Sequence, residues 1–176
     1  MKIMIVYSTT EGHTRTIADF LEQEAKTLGH SAVLFNATVQ PPSPDGYDAV
    51  IIAASVHAGK YQTSIEHYVR EYHRELNTLP VIFMSVSLTA ASHDDDASWK
   101  ELKQQTQDFM LSTGLKPDHT EYVAGALLYT KYDFFKRFIM RSINKRSGGD
   151  TDTSQDHVYT DWEQVAALPA KLESLA

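Results

Sequence analysis

The chain has 176 residues, 42% of them hydrophobic and 22% charged, a balance that suits one compact domain around a single core. Its formal net charge of -7 sets it against the phosphate backbone of nucleic acids, so no nucleic-acid partner is expected. It contains no cysteine, which excludes disulfides, thiolate catalysis, zinc–thiolate centres and iron–sulfur clusters and leaves any redox role to a bound cofactor.

The first apolar run, residues 3–7, is predicted to be a strand; it is too short for a signal peptide or a membrane span, and a cytoplasmic location is expected. Directly after it come Ser8, Thr9, Thr10, Glu11, Gly12, His13 and Thr14, and then a helix predicted over 14–28. Ile17, Ala18, Leu21, Ala25 and Leu28 of that helix recur at helical spacing, and Gly29 supplies a left-handed stop. A turn from a strand's carboxyl end to a helix's amino end aims free backbone N–H groups and the positive end of the helix dipole at one point, where a phosphate fits. Ser8, Thr9, Thr10 and Thr14 can add hydroxyl donors, and Gly12 lets the backbone turn closely around the anion. The segment lacks the Gly-Lys-Ser/Thr of a Walker loop and the spaced glycines of a dinucleotide fingerprint, and it also reads as a plain capping turn.

A second strand is predicted over 32–35, and the proline-rich loop 40–46, which cannot be helical, joins it to a third over 49–54. Ser55, Val56, His57, Ala58, Gly59, Lys60 and Tyr61 follow; their small residues allow close approach to a flat ring on which Tyr61 could stack, although Tyr61 also reads as a core aromatic. Helix 63–76 leads to a fourth strand, 81–86, whose end carries Ser85, Val86, Ser87, Leu88, Thr89 and Ala90, again small or hydroxyl-bearing. Helix 99–112 and a fifth strand, 121–126, complete an alternation of strands and helices that implies βαβ units around a parallel sheet covered on both faces. Ligands of such sheets bind outside the carboxyl ends of the strands, where these three loops would converge. The connection 128–156 is too long for an ordinary loop and reads as an insert in the single domain 1–176. A closing helix over 161–175 is expected to open on a capping box made by Thr160 and Glu163.

Other chemistry is less well supported. His93, Asp94, Asp95 and Asp96 read as a solvated loop, and the histidines at 30, 67, 73, 119 and 157 have no paired ligand spacing, so no metal site is expected. No Gly-x-Ser-x-Gly elbow occurs, and the first strand lacks the acids at its end with which a receiver domain would hold magnesium.

The loop Ser8 to Thr14 resembles the FMN-phosphate loop of flavodoxins, and Ala54 to Gly59 resembles their second, ring-contacting loop. Ala124-Gly125-Ala126-Leu127, Ser147-Gly148-Gly149-Asp150-Thr151-Asp152-Thr153 and Tyr159-Thr160-Asp161-Trp162-Glu163-Gln164-Val165 extend the resemblance, over nearly the whole chain, to the flavodoxin-like, quinone-dependent protoporphyrinogen IX dehydrogenases of bacteria. The resemblance implies a doubly wound five-stranded sheet in the order 2-1-3-4-5 and one non-covalent FMN. It also implies oxidation of protoporphyrinogen IX to protoporphyrin IX, with a quinone as acceptor, in haem biosynthesis. Residues 8–14 would hold the phosphate, and 55–61 with 85–89 would position the ring. His57 is the candidate proton-exchanging residue, with ring packing as its other reading. Within the insert, the stretch from Tyr129 to Arg146 (129–146) places Phe134, Phe135, Phe138, Ile139 and Ile143 on one helical side and five cations largely outside it. Such a helix could lie against anionic lipid at the inner membrane face or pack on protein. A soluble flavodoxin-type electron carrier and an FMN-dependent quinone reductase are the rival readings, and the oligomeric state is open.

Overall fold

A computed structural model describes residues 1–92, 95–127 and 156–176. The expected stretch 129–146, most of the insert and the pair His93 and Asp94 lie outside those residues.

Strand β1 (Lys2–Ser8) is followed by α1 (His13–Thr27), β2 (Ser31–Asn36), a 3-10 turn (Ala37–Val39) and β3 (Ala49–His57). Then come the short β4 (Lys60–Tyr61), α2 (Thr63–Leu76), β5 (Val81–Ser87), a second 3-10 turn (Thr89–Ala91), α3 (Asp96–Thr113) and β6 (His119–Ala124). A small ribbon of β7 (Ala126–Leu127) and β8 (His157–Val158) precedes α4 (Trp162–Ala166) and α5 (Leu168–Leu175). The main sheet runs β2-β1-β3-β5-β6 with every neighbour parallel, the expected 2-1-3-4-5 order, while β4 folds back antiparallel on the end of β3.

Alternation along the strands assigns the two faces. Ile3, Ile5 and Tyr7 of β1 pack with Ile17 and Leu21 of α1 and with Val165, Leu168 and Leu172 of the closing helices. Met4 and Val6 point the other way, into a cluster with Ile65 and Val69 of α2, Phe109 of α3 and Phe83 of β5. Helices therefore cover both faces, and the loops at the carboxyl ends of the strands are left to build a site.

Three boundaries differ from expectation. The last strand of the main sheet begins at His119 and stops at Ala124, with the Gly125 N–H still donating to Ser87 O at 3.0 Å at its end. The closing helix is broken at Ala167, with Pro169 early in its second part, since proline cannot donate into a continuing helix. The capping box at Thr160 does not form: Asp161 is the cap, accepting from the Glu163 and Gln164 N–H groups at 3.0 and 3.1 Å, and the Thr160 hydroxyl is used elsewhere.

At the sheet edge, Glu121 ties β6 to the closing helices. Its Oε1 accepts from Gln164 Nε2 at 2.7 Å, and its Oε2 lies 2.7 Å from His119 Nε2 and 3.5 Å from Lys171 Nζ. Burial pushes the carboxyl up, but the hydrogen bonds from His119 and Gln164 and the charge of Lys171 together outweigh it and hold the group below its usual range. A depressed carboxyl adds stability above its unfolded-state pKa and loses it as pH falls through the folded-state value. Glu121→Gln should thus cost about 1 kcal/mol at neutral pH. That deficit should shrink in acid, as read from urea midpoints at the two pH values.

Candidate functional site

The carboxyl ends of β1, β3 and β5 meet around a cleft of about 290 Å³. Its first wall is the β1–α1 junction. Gly12 adopts φ 93°, a left-handed conformation that favours glycine, and its N–H donates to Thr9 Oγ1 at 2.9 Å. Helix α1 then starts with no side-chain cap and no acidic residue in its first turn, so its leading amides keep their donor capacity. Thr14, in that first turn, is 1% exposed and lines the cleft, yet its hydroxyl has no hydrogen-bond partner among the described residues. An unpartnered hydroxyl lining a cleft beside uncapped amides at a helix's positive end makes an anion cradle. No lysine or arginine is among the described residues that line the cleft.

The second wall is the end of β3. Ala58 at φ 49° and Gly59 at φ 77° form a two-residue turn between paired His57 and Lys60, the geometry in which both central residues are left-handed. Ser55, Val56, His57, Ala58 and Gly59 all line the cleft. The third wall comes from Val86 and Ser87 at the end of β5 and Leu88 and Thr89 after it, with Gly125 and Ala126 also in the lining. Ser87 Oγ accepts from Ala90 N–H at 3.3 Å, which tightens that turn.

Two polar links cross the walls. Glu11 Oε1 stands 3.7 Å from His57 Nδ1, joining the first and second loops. Burial raises the Glu11 carboxyl above its usual range, and the neighbouring His57 opposes that shift. The other link reaches past the insert: the Thr160 hydroxyl donates to Ala124 O at 2.7 Å, so its oxygen is left to accept from His13 Nε2–H, also at 2.7 Å. The His13 ring meets Trp162 edge-on at 6.3 Å, which ties the start of α1 to α4.

Fourteen of the eighteen residues expected from sequence line this cleft: Thr9, Thr10, Glu11, His13, Thr14, Ser55, Val56, His57, Ala58, Gly59, Val86, Ser87, Leu88 and Thr89. The other four lie outside its lining. Ser8 is fully buried with its Oγ 2.8 Å from Ser64 Oγ, and Gly12 contributes through its backbone turn. Ser85 is fully buried and accepts from the Tyr61 hydroxyl at 2.8 Å. Tyr61 itself packs edge-on against Phe83 and Phe109, with ring centroids 5.3 and 4.9 Å away, and its hydroxyl also lies 2.8 Å from Thr106 Oγ1. It is a partly buried aromatic packed against the core on the α2–α3 side of the sheet, and burial raises its hydroxyl pKa. Gly125, Ala126, Thr160 and Gln62 were missed. The Ala124-Gly125-Ala126 run was the available signal for the first two; Thr160 and Gln62 act through partners far away in sequence. Among the described residues no group of side chains could hold a metal ion, and no helix is long and apolar enough to cross a membrane.

A family model described as a flavodoxin domain matches residues 4–154. Protoporphyrinogen IX dehydrogenase (quinone) of Escherichia coli strain K12 is 36% identical over 176 residues, covering 99% of this chain and 96% of that protein. The protein of the same name from Leishmania major is 33% identical over 186 residues, covering 99% of this chain and 75% of its own length. Among solved structures, oxidised flavodoxin 1 from Bacillus cereus superposes with a TM-score of 0.58 at 10% identity, covering 99% and 98% of the two chains, a likeness of fold. The chain therefore belongs to the flavodoxin-domain family, among the quinone-dependent protoporphyrinogen IX dehydrogenases.

Proposed function

We propose that the cleft holds FMN, with its phosphate in the cradle of residues 9–14 and its ring between the 55–59 and 86–89 loops, and that the chain oxidises protoporphyrinogen IX to protoporphyrin IX with a quinone as acceptor. The observation that carries the binding reading is the unpartnered hydroxyl of the buried Thr14, which lines the cleft beside an uncapped helix start. The donor set fits a phosphate dianion: amides and hydroxyls converge there, and the carboxyl of Glu11 is engaged by His57. Substrate and acceptor are carried over from the Escherichia coli relative, whose match spans nearly all of both chains.

Bound in the cleft, FMN supplies the transfer of electron pairs from the porphyrinogen to the quinone. The chain's own residues bind and orient. Gly12 and Thr14 set the direction of the phosphate donors, while Ser8 and Ser64 fasten the end of β1 to α2 beneath them. Ala58 and Gly59, without bulky side chains, leave a flat face open, and Ser85 with Tyr61 holds β5 and β4 together behind it. His57 is 44% exposed at the cleft with Glu11 on its Nδ1 side, a placement suited to exchanging protons with a ligand. The basic, aromatic stretch 129–146 is the part of the sequence suited to meeting lipid and a membrane quinone.

The test is anaerobic. The flavin-loaded protein is mixed with protoporphyrinogen IX and then with menadione; the expected result is loss of the yellow flavin absorbance, appearance of porphyrin, and recovery of the yellow form on quinone addition. Reduction by a flavodoxin reductase with no response to the porphyrinogen would select the electron-carrier reading instead.

A further inference from the structure

Gln62 is the residue at the amino cap of α2, yet its side chain does not cap that helix. The backbone carbonyl does the local work, accepting from Ile65 and Glu66 N–H, both at 3.2 Å. The amide instead reaches across the carboxyl ends of β1 and β3, where Nε2 donates to Thr10 Oγ1 at 3.1 Å and to Ser55 Oγ at 2.5 Å. Its Oε1 is buried and has no hydrogen-bond partner among the described residues. Only the donor end of the amide is therefore in use, at the expense of an unsatisfied acceptor.

A hydroxyl has one proton to give and lone pairs with which to receive. The Thr10 and Ser55 hydroxyls each receive from Gln62, and neither hydroxyl makes another hydrogen bond among the described residues. Their protons are consequently left for the cleft that both residues line. Turned over, the amide would accept from both hydroxyls and consume those protons before a ligand arrived. The described residues that line the cleft include no lysine or arginine, so the direction of each hydroxyl proton matters to a bound anion.

We propose that Gln62 is a positioning residue of the phosphate cradle: by donating to Thr10 and Ser55 it presets both hydroxyls as donors toward the ligand. This rests on the reading of the cleft as an FMN site. Because Gln62 acts through Thr10 on the phosphate, its effect should fall on FMN more than on riboflavin, which lacks the phosphate, and should vanish when Thr10 has no hydroxyl.

The experiment is a double-mutant cycle of Gln62→Met, Thr10→Val and the pair, in which apo-protein is titrated with FMN and riboflavin by quenching of flavin fluorescence. Gln62→Met is expected to lower the preference for FMN over riboflavin roughly 3- to 10-fold in the native background, as preorganised charge-assisted donors are lost. In the Thr10→Val background it should leave that preference unchanged. Should Gln62→Met fail to fold, Gln62→Ala takes its place in the same cycle. Equal losses for the two flavins, or the same loss with Thr10 absent, would make Gln62 a structural strut and overturn the proposal. A gain in FMN preference would mean that the amide had been consuming the hydroxyl protons, and would overturn it as well. If the native protein binds neither flavin, the FMN reading itself falls first, an outcome distinct from these.

Discussion

Replacing Thr10 and Thr14 together with valine is expected to weaken FMN binding on the order of 100- to 10,000-fold, because each of the two lost hydrogen bonds to a charged phosphate is worth on the order of 1.5–3 kcal/mol. Riboflavin, which presents no phosphate to the cradle, should lose less than about tenfold by the same reasoning. Valine matches threonine in shape, and Thr14 is 1% exposed with its hydroxyl unpartnered among the described residues, so its removal strips no native hydrogen bond there. Thr10→Val does remove the bond that its hydroxyl accepts from Gln62 Nε2, which adds a cost in stability beside the loss of binding. Titration of apo-protein with both flavins, beside a thermal melt of each variant, separates the two effects. An equal response to FMN and riboflavin would place the phosphate somewhere other than the β1–α1 junction.

The second large effect lies under the site. Phe83→Ala should destabilise the fold by about 3–5 kcal/mol, the range for deleting a buried aromatic from a packed core. Phe83 is fully buried, and its ring centroid lies 5.3 Å from that of Tyr61 and 5.2 Å from that of Phe109. Tyr61→Phe keeps this packing and removes only the hydroxyl that serves Ser85 and Thr106. Its expected cost is about 1–2 kcal/mol, with flavin affinity held within about threefold, since no ligand contact is lost. Urea unfolding with a parallel FMN titration measures both. A large loss of affinity in Tyr61→Phe without loss of stability would return Tyr61 to the flavin.

These residues also mark what could be read from the sequence. The central strands β1, β3 and β5 stood out because each of them, buried between two helical layers, is a nearly continuous apolar run. Ile3, Ile5 and Tyr7 facing one layer with Met4 and Val6 facing the other is the reason. The phosphate loop was legible for a similar reason, as its chemistry sits on consecutive residues at a strand–helix junction. Tyr61 was ambiguous because its fate depends on the turn at Ala58 and Gly59, which pairs Tyr61 with Val56 and sends its ring to the α2–α3 core. Ala-Gly is not one of the dipeptides that announce such a turn, so the local sequence gave no direction. Thr160 satisfied a local capping pattern, but a carbonyl on β6 and the ring of His13 compete for the same hydroxyl and win. Gln62 carried no signal at all: its partners lie 7 and 52 residues away and become neighbours only when β1 and β3 pair.

A crystal structure of the protein with FMN is the most direct test of how the cleft grips its ligand. The expected result is a phosphate bounded by residues 9–14, touching the first amides of α1 and the hydroxyls of Thr10 and Thr14, with no lysine or arginine in contact. A phosphate lying outside that junction, or one clasped by a cation from another part of the chain, would contradict the account.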